Sequence, residues 1–185
     1  LALGGVTTGT PTVYQGKLYL GIQGSTPFGT TGHMIKIIDG ETMAIDASGT
    51  TPGFVQSEMI LSTAKESIGQ LVLLMTYNQL PGGIYMMKIT KSAEGRMSID
   101  SSGSGNLFVP PASMQHYGIS TLETDSNGNL SYTNDSCTLM AVKAGYLLES
   151  IAASGGGITK STSVLAGGAF TFALTPSTGY KVADI

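Results

Sequence analysis

The stretch TLETDSNGNLSYTNDSCTLMAV, Thr121 to Val142, concentrates side chains that could do chemistry. Asp125, Asn127 and Asn129 surround Gly128. Alternating side-chain oxygens with a glycine at the bend are how a calcium loop begins. Such a loop also ends in a bidentate Glu at its twelfth position, and counted from Asp125 that position is Ser136. Asn-Gly between two alternating runs is, in addition, the strongest short-range hairpin signal. Asp125, Asn127 and Asn129 therefore stand as weak calcium candidates, and a structural turn is the favoured reading. Asn134-Asp135 falls in the following loop and suits a side-chain-capped turn.

The other reactive types are sparse. His33 and His116 are the only histidines, far apart in the chain and without a Cys or carboxylate at ligand spacing. Each is expected on the surface or in a loop. Cys137 is the single cysteine; nothing nearby would activate it, so a buried structural thiol is expected. Met59, Met75, Met86, Met87 and Met97 fall on strand-like runs and read as core rather than as a soft-metal site. Gly4-Gly5, Gly53, Gly82-Gly83 and Gly155 to Gly157 have no helix after them to make a phosphate cradle, and read as turns. Of the tyrosines, Tyr19 and Tyr132 occupy matched positions and suit packing, whereas Tyr77 and Tyr117 near strand ends are the candidates for a binding face. No catalytic constellation, metal site or cofactor is expected.

Positioning these residues falls to β-structure. Charged residues are 11% of 185, Gly is 26, and hydrophobic residues reach 41%. So little charge cannot solvate the outer faces of a helical bundle, and so much glycine suits short strands with tight turns. The net charge of −3 and scattered Lys and Arg argue against nucleic acid. The longest apolar run, Leu71 to Met75, is strand-sized, so no membrane span is expected in this segment.

The runs recur. Thr12-Val13-Tyr14, a Gln15-Gly16 turn and Lys17 to Leu20 predict a hairpin. Met34 to Ile38 predicts a third strand and Thr42 to Ile45 a fourth, across Asp39-Gly40. SEMILST, GQLVLLMTYN, IYMMKIT and RMSID predict a second set, with GQLVLLMTYN buried on both faces. YGISTLET, NLSYTND and CTLMAVKAG predict a third. Matching positions lie about 50 residues apart, the period of a four-stranded propeller blade.

TPTVYQGKLYLGIQG with HMIKIIDGET resembles a blade of the pyrroloquinoline-quinone-like repeat propellers. MTYNQLPGGIYMMKIT and SNGNLSYTNDSCTLMAV resemble blades of a subgroup found in large surface proteins of Gram-positive, Clostridia-type bacteria. The tail, with Phe170, Phe172 and Leu174 alternating before Pro176 and Tyr180, is similar to small β repeats of bacterial surface proteins. The resemblance implies an all-β chain: a partial β-propeller of about three blades over 1–149 (1–50, 51–112, 113–149), a Gly/Ser linker over 150–157, and a small β repeat over 158–185 that is either truncated or completes the last blade. The chain begins at Leu1 and reads as an excerpt of a longer protein. By function, the resemblance implies a non-catalytic binding or adhesion module, extracellular or at the cell surface, whose partner is a carbohydrate or a protein, with self-association through open blade edges. The alternative is a quinone-dependent dehydrogenase; those enzymes dock blades and stack the quinone with tryptophans, and this chain has none.

Overall fold

The structure, a computed structural model, describes residues 1–24, 29–143, 145–148, 156–158, 162–165 and 173–181. The described secondary structure is predominantly β, in small antiparallel sheets. Among the described residues, no helix is long and apolar enough to cross a membrane. The chain divides into two compact units: Leu1–Thr124 with Leu130–Ala141, and Asp125–Asn129 with Val142–Ile185.

In the first unit, β1 (Thr12–Tyr14), β2 (Lys17–Ile22), β3 (Met34–Asp39) and β4 (Ile45–Thr50) form an up-and-down sheet in chain order. Gln15 and Gly16 both take positive φ, 46° and 73°, as the tight hairpin pairing Tyr14 with Lys17 requires. The fourth strand starts later than the sequence suggests. Asp39 Oδ1 accepts the Glu41 and Thr42 N–H groups and the Thr42 hydroxyl, and Met43 turns at φ 57°. This side-chain-closed turn uses Thr42 and Met43, so pairing resumes at Ile45. Before β1, Val6 exchanges main-chain bonds with Gln23 and Gly24 and extends the edge of β2.

The second sheet is again in chain order: β5 (Ile60–Ser62), β6 (Gln70–Thr76), β7 (Ile84–Lys91) and β8 (Met97–Phe108). β6 buries Leu71, Leu73 and Met75 fully and leaves Val72 and Leu74 half-buried, so it is only partly covered on its second face. β8 runs twelve residues, far beyond RMSID. Its second half, SSGSGN, has weak strand propensity and is held by side chains. Asp100 Oδ1 accepts the Ser102 and Gly103 N–H groups, and Ser104 Oγ accepts the Lys88 N–H where the register shifts. The third sheet is short: β9 (Glu123–Thr124), β10 (Leu130–Thr133) and β11 (Leu139–Val142), with β10 central.

One core joins the first two sheets. Tyr19, Ile35 and Ile37 meet Leu71, Leu73, Met75, Met87, Ile89 and Met97, with Val55, Met59 and Tyr77 closing it. Four of the five methionines expected as core are buried; Met86 is half-buried. The sheets approach closely at Gly49 of β4, where an added Cβ would lie 2.7 Å from Ile99 Cδ1 and 3.2 Å from Met87 Cε. Burying such apolar faces, at about 25 cal/mol per Å², is what stabilises sheets too small to fold singly. Leu122, Leu130, Tyr132 and Met140 are buried around the third sheet; the Tyr132 hydroxyl donates to Gly82 O at 3.1 Å, and its ring meets Phe108 edge-on.

In the second unit, β12 (Gly145–Leu148) pairs antiparallel with β14 (Thr162–Leu165), and β13 (Gly156–Ile158) with β15 (Leu174–Pro176). Gly156 and Gly157, expected in the linker, are strand residues. The rest of the linker, 150–155, lies outside the described residues, as do Phe170 and Phe172 of the expected tail pattern.

Candidate ligand-binding face

Tyr117 sits in the long connection between β8 and β9, and its position follows from how that connection is tied down. Pro110-Pro111 leads into a 3-10 turn, Ala112–Met114, closed by Met114 N–H donating to Pro111 O. Gly118 N–H donates to the carbonyl of buried Tyr77 at 3.1 Å. Ser120 anchors the far end: its carbonyl accepts from Thr76 Oγ1 at 2.6 Å and its hydroxyl donates to Thr133 O at 2.6 Å. Gly82, at φ 65°, lies directly under this segment; a Cβ there would fall 1.6 Å from His116 O. Only glycine permits that approach.

The clamped segment presents Tyr117 at the surface, 43% exposed. Its ring meets the His116 ring edge to face, with centroids 5.4 Å apart. His116 Nδ1 stands 3.8 Å from Asp135 Oδ2, both side chains about half exposed. Asp135 is brought there by main chain, since its N–H donates to Tyr117 O at 3.0 Å. Asn134 fixes the loop beneath: its amide donates to Met114 O at 2.8 Å, and its Oδ1 accepts from Ser136 N–H and Oγ. The capped turn expected at Asn134-Asp135 is thus present. Val109, Met114 and Ile119 of the same connection are also exposed. The face offers a flat aromatic ring beside an imidazole and a carboxylate, a combination that can stack on a ligand and exchange hydrogen bonds with it.

Tyr77, the second residue expected on a binding face, is fully buried. It closes the core beneath the connection that carries Tyr117, its hydroxyl reaches Asn106 Oδ1 at 3.4 Å, and burial raises its pKa. Tyr19 and Tyr132 are buried, as their matched positions suggested.

The calcium candidates fold onto one another. Asp125 Oδ1 accepts the main-chain N–H groups of Asn127 and Asn129 at 2.8 and 2.9 Å, and Oδ2 accepts the Asn129 amide at 2.7 Å. Asn129, through its side chain and its N–H, and then Asn127 hold the Asp125 carboxyl below its usual range. Gly128 turns at φ 78° and its N–H closes on Asp125 O at 3.0 Å. Both carboxylate oxygens work for the turn. Among the described residues, no group of three or more His, Cys, Asp or Glu gathers to hold a metal.

His33 lies in the loop just before β3, as one of its two expected placements had it, but it is buried there and not at the surface: it is 5% exposed, stacked on Phe54 with centroids 6.4 Å apart, and neither ring nitrogen has a hydrogen-bond partner. One expectation is corrected outright. Cys137 is not buried: it is exposed, in a turn at φ 61° that its N–H closes on Asn134 O.

Two polar clusters were not visible in the sequence. Lys17 bridges Asp39 and Asp46, at 2.7 Å to each, across β2, β3 and β4. The Lys17 ammonium, with the Thr42 N–H and hydroxyl, holds the Asp39 carboxyl far below its ordinary range. Elsewhere Tyr14 donates to Glu66 Oε2 at 2.6 Å, Gln15 donates to Glu66 Oε1 at 2.8 Å, and Lys91 donates to Gln15. The second cluster ties the first hairpin to the second sheet over sequence separations that no local pattern encodes. A comparison with protein-family models, curated proteins and solved structures finds no match to this chain.

Proposed function

We propose that the chain is a non-catalytic binding or adhesion module of a bacterial cell-surface or secreted protein, with Tyr117, His116 and Asp135 as its binding face. The observation that carries the reading is Tyr117 itself: a large aromatic left exposed on a segment clamped by main-chain and side-chain bonds, beside an imidazole and a carboxylate. A rigid aromatic loses little entropy when it meets a ligand, and a carboxylate and imidazole give direction to that contact. The ligand is a carbohydrate or a protein. We read the three meandering sheets of the first unit as consecutive blades of a β-propeller; strand order and the face-to-face core between the first two support this. Loops at one end of stacked blades are where such architectures place their contacts.

The test is a screen of immobilised glycans and extracellular-matrix proteins with the purified chain, repeated with Tyr117→Ala. A specific ligand whose affinity falls at least about tenfold in the variant, the loss of 1.4 kcal/mol or more, supports the reading. Ligand binding untouched by Tyr117→Ala refutes it.

A further inference from the structure

We propose that Asn127-Gly128 is a site of spontaneous covalent modification, where the Asn127 side-chain amide is lost through a cyclic imide, with the Asp125 turn acting as its brake. The chemistry needs only the chain and water. The main-chain nitrogen of Gly128 attacks Asn127 Cγ and closes a five-membered ring. The new Cγ–N bond replaces the Cγ–Nδ2 bond, and Nδ2 departs as ammonia with the proton from the Gly128 N–H. Water then opens the imide at either carbonyl, giving aspartate when it cleaves at Cγ and isoaspartate when it cleaves at the main-chain carbon.

Of the five asparagines, Asn127 alone precedes glycine. Asn78, Asn106, Asn129 and Asn134 precede Gln79, Leu107, Leu130 and Asp135, whose β carbons crowd the approach of the attacking nitrogen. Asn134 is also buried, with its amide donated to Met114 O. Asn127 and Gly128 are both exposed, so water reaches the imide and ammonia escapes. Opposing this, the attacking nitrogen is engaged: Gly128 N–H donates to Asp125 O at 3.0 Å, and Asn127 N–H donates to Asp125 Oδ1 at 2.8 Å. Attack requires the first bond to break and Asn127 to rotate within a turn held by the second. The turn sets the rate, and the product undoes the turn. Isoaspartate lengthens the main chain between the two N–H groups that share Asp125 Oδ1, and aspartate places a second carboxylate beside the first.

The experiment incubates the folded protein at mildly alkaline pH and maps its peptides by mass spectrometry, with enzymatic methylation to detect isoaspartate. The expected result is a gain of about one dalton and one negative charge, confined to the peptide holding Asn127 and absent from Asn127→Ser. Asp125→Ala speeds the reaction several-fold towards the rate of the unfolded peptide of the same sequence. Modification elsewhere but not at Asn127, or none in the folded protein while the free peptide converts fully, overturns the site. An unchanged rate in Asp125→Ala overturns the brake.

Discussion

Tyr19 on β2 and Tyr132 on β10 are both buried tyrosines, yet removing their hydroxyls is expected to change stability in opposite directions. Both rings are buried. The Tyr132 hydroxyl donates to Gly82 O at 3.1 Å, whereas the Tyr19 hydroxyl is buried without a partner. A buried polar group left unpaired costs about 1–3 kcal/mol, and a satisfied bond contributes a net ~1 kcal/mol. Tyr19→Phe removes an uncompensated group and leaves its ring contacts in place. Part of the gain is offset by the small void left behind, so a net stabilisation of about 1 kcal/mol is expected. Tyr132→Phe loses its bond and strands the Gly82 carbonyl, a loss of about 1 kcal/mol. At roughly 2–4 °C per kcal/mol for a domain of this size, the two melting temperatures separate by about 4–8 °C. Urea and thermal unfolding followed by circular dichroism measure this directly. If Tyr19→Phe loses as much as Tyr132→Phe, the Tyr19 hydroxyl has a partner such as a buried water, and the reasoning fails.

Burial pushes the Tyr19 hydroxyl up to about 12 from 10.0, so the folded state favours its protonated form; that stability is intact below pH 10 and is lost as pH rises towards 12. Alkaline unfolding followed by tyrosinate absorbance should fall in that window and move upward in Tyr19→Phe. On the acid side, the Ser102 hydroxyl, then Lys88 and the Gly103 N–H, lower the Asp100 carboxyl to about 2 from 3.8. That stability is present above the unfolded value and is lost as pH falls through the folded one, so Asp100→Asn should flatten the acid limb of a stability–pH curve. Gly82→Ala should cost about 3 kcal/mol or more, since its φ is positive and its Cβ collides with a carbonyl. Gly95→Ala, with φ 80° but nothing near its Cβ, should cost only about 1 kcal/mol in the same melting assay. Calcium should leave the melting temperature unchanged, and Asp125→Ala should lower it equally with and without the ion.

What the sequence made legible was whatever depends on neighbours along the chain. The Gln15-Gly16 and Asn127-Gly128 turns, the up-and-down runs and the buried Tyr19, Met75 and Met87 all follow from alternation and from glycine's freedom at positive φ. Some of the misses depend on groups distant in sequence, whereas the late start of β4 and the exposed Cys137 come from turns closed by groups two or three residues away. Tyr77 ends an apolar run and looks like the last residue before an open loop. It is buried because the chain returns some forty residues later, and Gly118 donates to its carbonyl. The second half of β8 is a strand because Asp100 and Ser104 supply hydrogen bonds that its Ser-Gly composition does not promise. Tyr117 shows the same rule from the other side. Its exposure was readable from its loop, but its neighbours were not, since Asp135 joins His116 only through the Asn134 turn and a main-chain bond to Tyr117 O. Tyr77 and Tyr117 are thus two ends of one construction. The main chain of the residue whose ring is buried supplies the carbonyl that pins Gly118, and that bond holds the segment on which the exposed ring is presented. A candidate binding residue read as a pair of surface aromatics is better understood as one aromatic and its foundation, so loosening the loop over Tyr77 should weaken any ligand of Tyr117 without touching the ring that meets it.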